Sequence, residues 1–248
     1  MIELVNVTRT YGEKVAVDQL NLTVPPGELF AFLGPNGAGK TTTIKQIVGL
    51  LRPSSGSIRV CGFDVVTQPR EAHQHISYVP DEPYLYDKLT GREFLQFIGD
   101  MYGLPSPQTT RQIEREIERF QLRDFVDQLT ETYSHGMKQR LVFAAALLHD
   151  PEVLVVDEPM VGLDPRSIRL VKDLLRERAA AGATVFMSTH TLSVAEEIAQ
   201  RVGVIHEGRL RFVGNLQQFR ALLARDESSL EQLFLELTST EDEMGWGS

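Results

Sequence analysis

The stretch that decides the fold runs from Leu29 to Leu51 and reads LFAFLGPNGAGKTTTIKQIVGLL. Its first five residues are apolar, which predicts a buried strand. The next eight fit the pattern G-x-x-x-x-G-K-[ST], and residues from about Gly39 to Leu51 predict a helix that stops before Pro53. A buried strand, a glycine-rich loop and a helix in this order predict a loop that binds phosphate groups.

The chemistry of the loop follows from its residue types. Its glycines allow backbone N–H groups to converge on phosphate oxygens, and the helix N-terminus adds a partial positive charge. Lys40 is expected to reach the β and γ phosphates, and the Thr41 hydroxyl is expected to bind Mg²⁺. The predicted binding residues of this segment are Gly34, Pro35, Asn36, Gly37, Ala38, Gly39, Lys40, Thr41 and Thr42.

A second motif supplies carboxylates for the same site. Residues 153–158 read VLVVDE, an apolar run that ends in two acids. A buried strand would bring Asp157 to its carboxyl end, where the carboxylate can hold the Mg²⁺ hydration shell. Glu158 would then face the attacking water as a general base. Alone this motif is weak, but together with the phosphate-binding loop it predicts the second half of one site.

The remaining pattern predicts an α/β fold. Thr90 and Glu93 form a capping box before a helix, and the segment 81–150 is helical in pattern. Strands that alternate with helices at this spacing indicate a mostly parallel sheet. The other predicted elements are strands near 2–7 and at 20–24, 57–61, 76–79, 153–157 and 183–188, helices from the break at 105–107 through Phe120 and at about 165–181 and 193–200, and a hairpin across 206–209.

Charge and composition exclude several classes of protein. The formal net charge is −9, but residues 226–248 hold seven acids and no Lys or Arg, so the rest is close to neutral. A near-neutral body argues against binding to nucleic acid through bulk charge.

Cys61 is the only cysteine, so an intrachain disulfide is excluded, and residues 1–11 lack a signal-like apolar region. The longest apolar run, Leu141–Leu148, is far shorter than the about 20 residues of a membrane-spanning helix. We therefore expect any membrane role to require a partner.

Beyond these two motifs, the order of further elements resembles the nucleotide-binding subunit of an ABC transporter over nearly the whole chain. Residues 133–137, YSHGM, look like a degenerate form of the family signature L-S-G-G-Q, and residues 162–164, GLD, resemble the D-loop. The resemblance implies a P-loop NTPase fold of the ABC ATPase type. Its core sheet is mostly parallel, with an antiparallel β subdomain and an inserted α-helical subdomain at about 82–150. It also implies one domain over 1–225, followed by the acidic tail.

The resemblance also implies roles for single residues. Tyr11 is placed like the aromatic residue that stacks on adenine. Ser134 and Gly136 belong to a signature that opens a helix, whose N-terminus meets the γ phosphate bound by the other subunit. Asp164 is expected at the dimer seam, and His190 is expected to contact the γ phosphate and to orient the catalytic glutamate.

Two departures from the family pattern point to a subfamily. Asp81 stands where the family has a glutamine, and we expect its carboxylate to meet Mg²⁺ or the attacking water. The signature has His135 and Met137 in place of glycine and glutamine. These changes resemble ATPase subunits that work with ABC-2-type permeases, mostly exporters.

The resemblance thus implies an ATPase that uses ATP and Mg²⁺ and drives an integral membrane permease from the cytoplasmic face of the membrane. A second copy of the subunit, most simply in a homodimer, would complete the site, and nucleic acid is not an expected partner. A soluble ABC-type ATPase that acts on DNA or the ribosome is the alternative. A P-loop GTPase or small-molecule kinase would leave Ser134, Asp164 and His190 without roles. Residues Leu230, Leu233, Phe234 and Leu237 predict a short amphipathic helix in the tail.

Overall fold

The computed structural model describes residues 1–221, which form ten strands and eight α-helices. The strands are β1 Ile2–Tyr11, β2 Lys14–Val24, β3 Leu29–Leu33, β4 Ser55–Val60, β5 Phe63–Asp64, β6 Ile76–Val79, β7 Val153–Asp157, β8 Thr184–Thr189, β9 Arg201–His206 and β10 Arg209–Asn215. The helices are α1 Lys40–Ile47, α2 Pro69–His75, α3 Gly91–Met101, α4 Ser106–Arg119, α5 His135–Ala146, α6 Pro165–Ala180, α7 Leu192–Ile198 and α8 Leu216–Ala221. The acidic tail and its predicted helix lie outside the described residues, so the predicted domain division stays a prediction.

Two sheets of different character build the molecule. The larger has the strand order β10-β9-β3-β8-β7-β6, and all its pairs are parallel except β10 with β9. The smaller has the order β2-β1-β4-β5 and is antiparallel throughout. The predicted parallel core and antiparallel β subdomain are both confirmed. Helices α3, α4 and α5 lie in the segment predicted to be the helical insertion.

The register of the parallel strands aligns their carboxyl ends. Leu33, the last residue of β3, pairs with Thr189, the last residue of β8. Asp157, at the end of β7, pairs with Ser188. Loops that leave the carboxyl ends of parallel strands open onto one edge of the sheet, which is the usual ligand site of open α/β sheets. The phosphate-binding loop and the segments after Asp157 and Thr189 therefore meet at this edge.

Side-chain alternation along β3 divides the core into two parts. Leu29, Ala31 and Leu33 pack with helices of the insertion and with α6 and α7. Phe30 and Phe32 point to the opposite face and pack with α1 and the antiparallel sheet. All five side chains are fully buried, as expected for a parallel strand covered on both faces.

Helix α3 begins as the sequence predicts. The Thr90 hydroxyl accepts a hydrogen bond from the Glu93 backbone N–H, and the Glu93 carboxylate accepts one from the Thr90 N–H. This reciprocal capping box satisfies N–H groups that have no partner inside the helix. Phe94 and Leu95 then face the core.

Several predicted boundaries were wrong, and two helices were missed. Helix α1 ends at Ile47 rather than near Leu51, because Gly49 has a φ of 73° and turns the chain out of the helix. The strand predicted at 57–61 is β4, and Cys61, with a φ of 51°, belongs to the turn after it. Helices α2 and α8 are too short for a clear periodic pattern.

Truncation of a buried aromatic residue should test this core. Phe186 is fully buried and packs against Phe30 and Phe32, with ring centroids 5.6 and 5.3 Å away. We expect Phe186→Ala to lower the free energy of unfolding by about 3–5 kcal/mol, because it leaves a cavity. Urea titration followed by circular dichroism measures the change. Phe97→Ala, at a ring 39% exposed, is the matched control and should cost clearly less. Equal losses would contradict the assignment of Phe186 to the core.

Candidate active site

The phosphate-binding loop is shaped by glycines at two close approaches. A Cβ at Gly34 would lie 2.5 Å from the Ile205 carbonyl oxygen. A Cβ at Gly39 would lie 2.6 Å from the Ala16 carbonyl oxygen, and this residue also has a φ of 108°. Larger residues would push the loop away from β2 and β9. The loop conformation therefore requires glycine at both positions.

The N-terminus of α1 offers free donors to an anion. Gly39 is the N-cap residue, and within residues 1–221 its helix start has no side-chain cap and no acidic residue in the first turn. The first N–H groups of a helix have no partner inside the helix, and the helix dipole favours negative charge there. Lys40, Thr41 and Thr42 line the cavity in front of this helix start. The arrangement suits a phosphate group.

The Lys40 ammonium group lies inside the loop, close to several oxygen atoms. Its side chain is 6% exposed, and Nζ donates to the carbonyl oxygens of Gly34 at 2.7 Å and Pro35 at 3.2 Å. Nζ also lies 3.4 Å from Glu158 Oε1. A nearly buried ammonium group needs such partners, because desolvation of a lone charge is costly.

Asp157 presents a buried carboxylate with one free oxygen. Oδ1 accepts a hydrogen bond from the Ser188 hydroxyl, whereas Oδ2 has no hydrogen-bond partner within the described part of the chain. Burial raises the pKa of Asp157, while the hydrogen bond from Ser188 and the nearby Thr41 hydroxyl oppose that rise. The Asp157 oxygen without a partner and the Thr41 hydroxyl are both oxygen ligands, the type that Mg²⁺ prefers. The residues present therefore fit this ion.

Glu158 lies between two catalytic candidates. Its Oε1 faces Lys40, and its Oε2 lies 3.0 Å from His190 Nδ1 and 3.4 Å from the His190 backbone nitrogen. The backbone N–H of Glu158 donates to the Ser188 hydroxyl at 3.0 Å. Glu158 also has a φ of 46°, a conformation that costs a residue with a side chain about 1–3 kcal/mol. The structure thus brings the three predicted catalytic residues together.

Two adjoining cavities open at this edge of the sheet. One, of about 440 Å³, is lined by the phosphate-binding loop together with Tyr11, Lys14 and Ala16. The other, of about 630 Å³, is lined by His190 and by residues around the signature, including His135. Both cavities contact Asn36, Asp81 and Glu158. The smaller cavity is the better fit for phosphate groups, because it contains the helix N-terminus and Lys40.

Tyr11 and Asp81 lie at the rim of these cavities. The Tyr11 ring is 48% exposed, and the Arg9 guanidinium lies 4.6 Å from its centroid. Asp81 is exposed, and its Oδ1 accepts a hydrogen bond from the Glu82 N–H at 2.9 Å. Its negative charge is one of the smaller causes that raise the pKa of Asp157, so it lies close to the carboxylate that fits Mg²⁺.

Three other predicted residues lie elsewhere on the chain. Ser134 caps α5 by accepting a hydrogen bond from the Met137 N–H at 3.3 Å, so the signature does open a helix. Gly136 has open space beside its Cα. Asp164 caps α6, and hydrogen bonds from Ser167 lower its pKa. None of Ser134, Gly136 and Asp164 lines the smaller cavity, which is formed by residues within 1–221.

Sequence reasoning missed two kinds of site residue. Ser188 contacts both Asp157 and Glu158. The one sequence feature that could have indicated its role is its position two residues before His190. Lys14 and Ala16 reach the cavity from β2, and nothing in their sequence context indicates this. They lie there because the antiparallel sheet packs against the phosphate-binding loop.

Comparison with known proteins decides the family. The profile of the family described as ABC transporter matches residues 17–161, more than half of the chain. The chain belongs to the ABC transporter family. It is similar to the Nod factor export ATP-binding protein I of Paraburkholderia xenovorans (strain LB400), with 40% identity over 208 residues, 84% of this chain and 68% of that protein.

Solved structures of ABC ATPases show the same fold. An ATP-binding subunit of an ABC transporter superposes with a TM-score of 0.90 at 32% identity, covering 96% of this chain and 100% of that one. A dimeric ATP-binding cassette in a post-hydrolysis state, bound to ADP and Pi, has a TM-score of 0.77 at 26% identity, covering 87% and 99%. The predicted ABC ATPase fold and the predicted function as an ATP-binding and ATP-hydrolysing transporter subunit are confirmed. Among residues 1–221, no helix combines the length and the apolar character needed to cross a bilayer.

Ser188 provides a test of how this ABC ATPase site is held. We expect Ser188→Ala to lower ATP hydrolysis by about 10- to 100-fold, because the hydroxyl positions both Asp157 and the Glu158 backbone. Steady-state release of phosphate measures the loss. Ser77→Ala is the matched control: its hydroxyl is also buried, but it donates to the Ala146 carbonyl oxygen. Similar activity losses in the two variants would show that Ser188 has only a structural role.

Proposed function

We propose that this subunit powers an exporter built on an ABC-2-type permease, and that it works as a pair of copies on the cytoplasmic face of the membrane. The relative named for Nod factor export supports the direction of transport. Asp81, His135 and Met137, which replace usual family residues, support the pairing with an ABC-2-type permease.

The observation that carries the catalytic part of the proposal is the position of Glu158 between Lys40 and His190. Lys40 neutralises charge on the β and γ phosphates, and the N–H groups at the start of α1 bind their oxygens. Glu158 accepts the proton of the attacking water, while His190 keeps the carboxylate in place. Tyr11 stacks on the base. Asp157, Thr41 and Asp81 would hold Mg²⁺, which when bound neutralises further phosphate charge.

Each site needs residues from a second copy in this proposal. Ser134 and Gly136 lie at the exposed start of α5, where helix N–H groups and the helix dipole can meet a γ phosphate. Asp164 lies at the exposed start of α6. Since these residues do not line the smaller cavity of their own chain, they are free to complete the site of the partner. The dimeric cassette bound to ADP and Pi supports such an arrangement.

Removal of the loop lysine should abolish the reaction. We expect Lys40→Ala to lower ATP hydrolysis by at least about 100-fold, because it removes the charged donor to the phosphates. The measurement is phosphate release by the purified protein. Lys45→Ala, an exposed lysine on the same helix, is the control and should keep near wild-type turnover. Near wild-type turnover of Lys40→Ala would refute the assignment of the loop.

The glutamate base and the paired arrangement can be tested together. Glu158→Gln keeps the size of the side chain but cannot accept a proton, so ATP should bind, stay intact and hold two copies together. Size-exclusion chromatography with ATP and Mg²⁺ should show a stable dimer, which wild-type protein forms only transiently.

Glu177→Gln, at an exposed residue on α6, serves as control and should behave like wild type. If Glu158→Gln stays monomeric and still hydrolyses ATP, both the base role and the ATP-dependent pairing are wrong. If it binds ATP and loses hydrolysis but stays monomeric, only the pairing is refuted.

A further inference from the structure

A cluster of three potential ligands lies at the end of the core sheet opposite the nucleotide site. It consists of the Cys61 thiol, the His75 imidazole and the Glu152 carboxylate, and one ligand atom of each lies within 4.8 Å of the other two. His75 Nδ1 is 2.7 Å from Glu152 Oε1, and Cys61 Sγ is 3.8 Å from Glu152 Oε2. Glu152 precedes β7, whereas Asp157 ends it. About five residues of extended strand, roughly 17 Å, therefore separate the cluster from the Mg²⁺ candidates.

Each of the three side chains is positioned by a different element. Cys61 lies in the turn between β4 and β5, and its backbone N–H donates to the Met1 carbonyl oxygen at 2.9 Å. His75 ends α2, and its ring stacks on Phe63 with an interplanar angle of 9°. The backbone carbonyl oxygen of Glu152 accepts a hydrogen bond from the Thr184 N–H at 2.8 Å. The cluster thus joins the antiparallel sheet to the core sheet.

The donor set defines the class of ion. A thiolate, an imidazole and a carboxylate are the protein ligands of Zn²⁺, and two of the three carry negative charge that a divalent ion neutralises. In a tetrahedral Zn²⁺ site, the usual metal–ligand lengths place ligand atoms roughly 3.3–3.6 Å apart. The distance of 3.8 Å from the sulfur to Glu152 Oε2 is close to that range. The 2.7 Å contact of His75 is with the other carboxylate oxygen, Oε1, and must lengthen by at least about 0.6 Å.

An ordinary surface ion pair explains the cluster less well. Glu152 is 66% exposed, and an exposed histidine–carboxylate pair contributes little to stability. The Cys61 sulfur lies 3.8 Å from Glu152 Oε2 and also 3.8 Å from the Met1 amino nitrogen, and the histidine–carboxylate pair by itself does not account for the thiol. We propose that Cys61, His75 and Glu152 bind a divalent transition-metal ion, with Zn²⁺ the best match, and that water takes the fourth position.

The ion would stabilise the folded protein and would take no part in ATP hydrolysis. It would join the β4–β5 turn to the starts of β6 and β7, since Ile76 follows His75 and Val153 follows Glu152. An ion that binds only the folded protein raises its melting temperature by mass action. This inference does not rest on the proposed function, because none of the three residues contacts the nucleotide cavities.

The test uses the full chain, purified with a chelator and transferred to metal-free buffer. Titration with Co²⁺ should produce a thiolate-to-metal charge-transfer band at one ion per chain, and Zn²⁺ should displace it. Because Cys61 is the only cysteine, this band reports the proposed site alone. Zn²⁺ should also raise the melting temperature of the wild-type protein.

Variants separate this site from other metal-binding groups. Cys61→Ser should abolish the band. His75→Ala and Glu152→Gln should each weaken Zn²⁺ binding by about 100-fold. Loss of a group that only hydrogen-bonds to a metal ligand already costs about 10- to 100-fold in affinity, so loss of a ligand itself should cost at least the upper end of that range. His73→Ala, on the same helix but outside the cluster, and Asp157→Asn should leave the band unchanged. If any one variant fails to fold, the conservative Glu152→Gln at its exposed position still provides the comparison.

Absence of the band in folded wild-type protein would overturn the proposal. A Zn²⁺ affinity that is the same in wild type, His75→Ala and Glu152→Gln would also overturn it, because the ion would then be bound by other groups.

Discussion

Parallel pairing of β3, β8 and β7 is the constraint on which the site depends. Their hydrogen-bonded register places Leu33, Asp157 and Thr189 at one edge of the sheet. Three segments of the chain begin at this edge: the phosphate-binding loop after Leu33, the segment that starts with Glu158, and the segment that starts with His190. These strands are buried on both faces, so a slip of one residue would move each side chain to the opposite face of the core and would also move the loop that follows the strand. Packing on both faces of the sheet prevents such a slip, because Phe30, Phe32 and Phe186 pack on one face while Leu29 and its neighbours pack on the other.

Electrostatics at this edge follow from burial. Asp157 is a fully buried carboxylate, and Lys40 is a nearly buried ammonium group. A buried charge is costly without polar partners, and the two groups have different partners. Lys40 has two carbonyl oxygens and Glu158, whereas Asp157 has Ser188 for one oxygen and leaves the other free. The free oxygen of Asp157 can therefore bind a metal ion. Lys40 places a positive charge next to the loop that is expected to bind phosphate.

Most of the site was predictable because its parts are local. The loop from Gly34 to Thr41 needs particular residues at particular spacings, and the acids of residues 153–158 follow directly from a buried strand. The capping box at Thr90 is local in the same sense, and the structure has it as expected. Short elements were less predictable: α2 and α8 have seven and six residues, too few for an amphipathic period to be clear. Helix α1 was overextended because Leu50 and Leu51 are apolar, while the left-handed Gly49 ends the helix earlier.

The sequence by itself thus determined the family, through the order of motifs along nearly the whole chain. It also predicted the phosphate-binding loop and the acidic residues of the site, because each of these motifs depends on residues within a few positions. Tertiary structure decided which distant groups meet. Ser188 on β8 contacts Asp157 and Glu158 only because β7 and β8 pair in parallel, and Ala16 reaches Gly39 only because one sheet packs on the loop. The cluster of Cys61, His75 and Glu152 spans 91 positions of the chain from first to last. Contacts at such separation depend on the packing of whole elements, which local patterns do not encode.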